Sequence, residues 1–256
     1  MKYVLKFASF FLVLIACSLY TFTGRAGIAV DANGSLQDKF SVLWDKYADR
    51  LDQDDPKYPH RIFYDSNDEI DALVNSAWKY KNRTYELYYN DTVKLARHIY
   101  NIAIFTNDIT KEVSLERFEK GIQGFHYSID QICSWINSKS IDIFTYDELQ
   151  LVLYLIADGI IVLKDGKFIS AGKVNHILGV APGKKRSMKT VSSHERLHVI
   201  WDEDADLKNE YTQKWRALSQ ADKDKVVSSL KGYSLSKEEQ LIEEWFVREL
   251  ENSYFN

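Results

Sequence analysis

The chain has 256 residues, 45% of them hydrophobic and 14% aromatic, with a formal net charge of -4. That is enough apolar material for one large packed domain, and it excludes a low-complexity or fibrous chain. The longest basic run is Lys184-Lys185-Arg186, which offers no field suited to gripping a phosphate backbone, so nucleic acid is not expected as a partner. Only eleven Gly and three Pro point to long regular elements and few tight turns, a helix-rich chain.

Residues 1–22 read as an export signal: Lys2 and Lys6 precede an apolar stretch, Phe7 to Tyr20, that is short for a membrane span. Within it Leu14-Ile15-Ala16-Cys17 resembles the lipobox of bacterial lipoproteins, in which cleavage before the Cys leaves a lipid-bearing residue. On that reading Cys17 anchors the chain to a membrane; the rival reading is ordinary cleavage near Gly24-Arg25-Ala26 and a secreted product. Residues 23–38, with Gly24, Gly27, Asn33 and Gly34, have the composition of a flexible tether, and residues 39–256 are expected to form a single domain. Cys133 lies among apolar residues and is expected to be buried filler.

Helical spacing recurs from Phe40 to Leu51, through Ile70, Leu73, Val74 and Trp78, through Tyr88, Val93, Ala96, Ile99 and Ile102, and from Phe118 to Ile136. Another helix is expected from Asp147 to Ala157. Residues Ile160-Ile161-Val162-Leu163 and Phe168-Ile169 flank Asp165-Gly166 and form a hairpin signal, the one firm strand prediction. A Gly- and Pro-punctuated loop from Gly172 to Gly183 leads to a further helix, and two helical stretches, Asp206 to Leu230 and Ser236 to Tyr254, follow. The expected fold is therefore mainly α with a small β-hairpin or sheet.

The chemistry concentrates in His194-Glu195-Arg196-Leu197-His198. Histidines four apart on a helix project from one face and can reach a single ion, while the intervening Glu can take a proton from a water held on it. The competing explanation is a capping box, with Ser192 as N-cap and Glu195 three residues on; it leaves the recurrence of His on an apolar face unexplained.

This pattern resembles the signature of the zincin metallopeptidases. The resemblance implies a Zn2+ cofactor, a protein or peptide substrate, Glu195 as general base, and a third protein ligand beside His194 and His198. Trp201 stands where a metzincin would have Gly, which counts against Asp204 as that ligand, and the closer resemblance is to gluzincins, with a Glu on a later helix. Glu244 is the choice, among Ile242, Trp245 and Phe246, with Glu249 and Glu243 as rivals; on a helical wheel Glu249 lies nearer the middle of the apolar arc. Tyr233 and Tyr211 are candidates for stabilising the oxyanion, His176 for lining the cleft, and Asp202-Glu203-Asp204 for orienting the histidines or ending the helix. The hairpin corresponds, by the same resemblance, to the edge strand along which zincins align substrate. Two other readings stay open: an exported helical binding or scaffold protein that keeps the metal site without turnover, and a metal amidase acting on cell-wall peptides.

Overall fold

A computed structural model describes residues 60–63, 68–139, 144–183, 186–230 and 237–255. The expected export signal with Cys17, the expected tether, the helix expected from Phe40 to Leu51, and Tyr233 lie outside the described residues.

Helices dominate, as the composition implies, around a sheet of four strands: β1 (His60–Phe63), β2 (Thr84–Tyr89), β3 (Gly124–Ser128) and β6 (His176–Val180), in the order β1-β2-β6-β3. The first three positions in that order run parallel, and β3 closes the edge antiparallel to β6. The predicted hairpin forms, as β4 (Ile161–Lys164) and β5 (Lys167–Ser170), with Asp165 and Gly166 both at positive φ as a tight I′-type turn requires. It makes a separate two-stranded sheet, so it is not the edge strand of the larger one.

Three of the large sheet's strands were hidden in other patterns. Tyr88 belongs to β2, not to a helical stripe; the run Thr-Tyr-Glu-Leu-Tyr-Tyr is rich in residues that fit a pleated surface, and all six are buried. The stripe from Phe118 to Ile136 is three elements: α3 (Leu115–Gly121), β3, and α4 (Ile129–Asn137). Glycines 121 and 124 interrupt the helix, Phe125 and Tyr127 alternate as a strand, and Ser128 restarts the helix with a capping box to Gln131. β6 occupies the middle of the predicted loop from Gly172 to Gly183.

Strand alternation sorts residues to the two faces of the sheet. Tyr85, Leu87, Tyr89, Phe125, Tyr127 and Ile177 join a core with α2 (Thr92–Phe105), α4 and α5 (Tyr146–Ala157). Cys133 is buried in that core, as expected, and burial pushes its thiol up to about 11. Tyr88, Leu178 and Val180 face the other way, against α1 (Asp68–Asn75) and α6 (Met188–Glu203). By the same alternation Glu86, Gly124, His126 and His176 share the α6 side.

α6 is the central element of that side. Ser187 caps it, so Ser192 lies inside the helix and the capping-box explanation of the motif falls. Its far side packs on α7 (Ala205–Ala217) and α9 (Glu238–Leu250) through Leu197, Ile200, Trp201, Tyr211 and Phe246. Trp201 is fully engaged there, its ring 5.3 Å from that of Phe246. The stretch expected from Asp206 to Leu230 breaks at Leu218, where Ser219 caps α8 (Gln220–Ser229). On the sheet side Arg196 pairs with Glu86 at 2.8 Å, and also donates to Ser76 Oγ and Leu73 O, while Tyr88 donates to Glu86. Among the described residues no helix is long and apolar enough to cross a membrane.

Candidate metal centre

The i, i+4 spacing on α6 sends both imidazoles toward α9. His194 Nε2 and His198 Nε2 lie 3.4 Å apart. Glu244 on α9 completes the group, with its carboxylate oxygens 4.0 Å from His194 Nε2 and 3.5 Å from His198 Nε2. Two nitrogens held about 2.05 Å from a tetrahedral zinc ion would be about 3.3 Å apart, so the spacing of the pair fits. Glu244 Oε2 is buried with no hydrogen-bond partner among the described residues, an arrangement that costs free energy unless a cation or proton meets it.

The outer nitrogens are pinned. His194 Nδ1–H donates to Glu251 Oε2 at 2.9 Å and His198 Nδ1–H to Glu243 Oε1 at 2.7 Å. Carboxylates only accept, so each contact fixes the tautomer and leaves an Nε2 lone pair on the inner side, the arrangement usual for metal-bound histidine. Arg186 shares Glu251, which its charge and the His194 hydrogen bond hold below the usual carboxylate range against the effect of partial burial.

Two inner lone pairs facing each other require a positive charge between them. Burial lowers His194 to about 4 despite its bond to Glu251. Burial opposes the charge on His198 as well, but the Glu243 hydrogen bond and the charges of Glu243, Glu244 and Glu195 override it and push that imidazole up to about 10. Without a metal the acids around the pair therefore favour a proton on its inner side. A divalent cation would take its place, since the surroundings are acidic and the donors are two imidazoles and a carboxylate, a zinc-type set.

Glu195 projects beside this group, 7% exposed, under the first residue of β3. A Cβ on Gly124 would stand 2.4 Å from Glu195 Oε1, so only glycine lets the edge strand pass this close. Burial, aided by the charge of Glu244 and offset by His198, raises the Glu195 carboxyl to about 7, the range in which a carboxylate exchanges protons near neutral pH.

The other predicted residues separate cleanly. Glu249 is exposed and its side chain turns to the Tyr211 hydroxyl. Glu243 contacts His198 from outside, through Nδ1, as an orienting group. Asp204 caps α7 and pairs with Lys79 at 2.8 Å, away from the histidines. Tyr211 packs its ring against Phe246 at 4.9 Å and does not face the site. Glu203 binds His176 rather than the motif histidines, and Asp202 faces His126 and His176. Glu251 and His126 were not singled out in the sequence. Glu251 lies seven residues beyond Glu244, two helical turns along, and that spacing was the available signal.

No protein-family model, no curated protein and no solved structure matches the chain. The site therefore carries the functional argument.

Proposed function

We propose that this protein is a zinc-dependent peptidase, with His194, His198 and Glu244 holding the metal and Glu195 serving as general base. The observation that carries this is the convergence of two inner imidazole nitrogens and the orphaned Glu244 carboxylate, with a second, proton-exchanging carboxylate alongside. Zinc held there would supply a Lewis acid that acidifies a water and polarises a peptide carbonyl. Glu195 takes the proton of the attacking water and then returns it to the departing amine. Glu243 and Glu251 keep both imidazoles turned inward throughout.

Substrate alignment falls to β3. Among the described residues it pairs on one side only, with β6, and its first residue lies against Glu195. An extended peptide adding to its free edge would bring a backbone carbonyl toward the catalytic carboxylate. Tyr233 as oxyanion donor, the export signal and the lipid anchor on Cys17 belong to the same proposal; Tyr233→Phe kinetics and fatty-acid labelling of Cys17→Ala test the first and last.

The test of the whole reading is zinc content and cleavage of casein beside peptidoglycan. Wild type should contain zinc and cleave protein, Glu195→Gln should keep the metal and lose turnover, and His198→Ala should lose both. A wild-type chain without affinity for zinc, or an active Glu195→Gln, refutes it. Cleavage of peptidoglycan alone would move the substrate class to cell-wall peptides.

A further inference from the structure

A second group of metal-ligating side chains lies on the sheet side of α6, outside the site above. His126 Nε2 and His176 Nδ1 are 3.0 Å apart, and Asp202 Oδ2 is 3.9 Å from each. Strand alternation places both histidines on the face that meets α6, and Asp202 comes one turn after His198 on that helix. The three donor distances bracket the about 3.3 Å edge of a tetrahedral zinc site.

The outer nitrogen of His176 is engaged as a ligand histidine's would be. His176 Nε2–H donates to Glu203 Oε1 at 3.0 Å, and Glu203 also accepts from Asn175 Nδ2 at 2.7 Å and from Arg83 Nη1 at 2.5 Å. With three donors on it Glu203 is a fixed anion, so the proton of His176 stays on Nε2 and the Nδ1 lone pair points at His126 and Asp202. Both imidazoles are almost wholly enclosed, with side chains 10% and 6% exposed, whereas Asp202 is 40% exposed and leaves a route to solvent.

We infer that His126, His176 and Asp202 form a second binding site for a first-row divalent transition metal, zinc above all. Two nitrogen donors disfavour magnesium and calcium, which take oxygen ligands, and the open side provides a position for water. The site sits beside the first: the His126 ring lies parallel to that of His198, 2° between planes and 6.0 Å between centroids. A cation here would place positive charge next to His198 and compensate the acids that crowd this end of α6.

The inference does not depend on peptidase activity, and metal stoichiometry tests it directly. The full chain, stripped with a chelator and reloaded with zinc, should hold about two equivalents. His194→Ala/His198→Ala should hold about one, and His126→Ala/His176→Ala the other one. If the latter variant binds as much zinc as wild type, the second site does not exist; if the former does, the catalytic reading fails instead. Because the His126 and His176 side chains are enclosed while Asp202 is 40% exposed, Asp202→Asn serves as a variant that leaves packing intact. It should weaken one of the two affinities at least tenfold, and two unchanged affinities overturn the inference.

Discussion

Replacing Glu195 with Gln should make the metal-free protein more stable at alkaline pH. Glu195 is 7% exposed, and burial raises its carboxyl from 4.5 to about 7 in the folded chain. A raised carboxyl means that the folded state prefers the proton. The folded state therefore bears no penalty below pH 4.5, and one that grows as pH rises through 7 and is complete above it. The distance from 4.5 to about 7, at about 1.4 kcal/mol per pH unit, gives about 3.5 kcal/mol, an upper value because Gln brings its own amide to bury. Urea unfolding of chelator-treated wild type and Glu195→Gln at pH 5 and pH 8 measures it. The variant should gain stability at pH 8 and little at pH 5. Equal stability at pH 8, or the same gain at both pH values, would refute a charged, desolvated Glu195 and with it the base assigned here.

Other outcomes follow from the same geometry. Glu251→Ala and Glu243→Ala should each weaken zinc binding roughly 10- to 100-fold in chelator competition, with Glu249→Ala unchanged, because only the first two orient a ligand histidine. Zinc affinity should rise with pH toward 10, since the metal must displace the proton on His198; calorimetry in buffers of different ionisation enthalpy should register its release. Gly124→Ala should lower kcat while leaving zinc content intact, as the new methyl forces Glu195 aside. Arg196→Leu should cost about 3–5 kcal/mol in chemical denaturation by stranding Glu86, and Arg196→Leu/Glu86→Leu should recover much of it.

The motif was legible because its geometry is local: two residues one turn apart share a face wherever the helix sits. Glu244 was legible as an acid among apolar neighbours, but the helical wheel favoured Glu249, and the reason it misled is physical. The packed face of α9 is Ile242, Glu244, Phe246 and Val247, set against Trp201 and Tyr211, whereas Glu249 falls outside it, exposed, and reaches only the Tyr211 hydroxyl. Glu244, the proposed ligand, is the acid that this face buries against His194 and His198. His126, Glu243 and Glu251 owe their roles to tertiary neighbours on β6 and α6, which no local period encodes. The sheet was obscured for a related reason. β2 and β6 are buried on both faces and lack polar alternation, while residues 118 to 136 match a helical period across what is in fact a helix, a strand and a second helix.

The Arg196–Glu86 pair bears on how accurately the site is aimed. An amphipathic helix finds its rotation from its apolar stripe, but residues 191–197 of α6 are buried in succession, so hydrophobic burial barely distinguishes one rotation from another. Polar contacts on different sides index it instead: Arg196 keyed to β2, Glu203 to β6, His194 to the turn after α9. A turn of one residue, about 100°, would break all three at once. Charge pairs that add little net stability thereby set the angular register of the helix, and with it the direction in which the two histidines point.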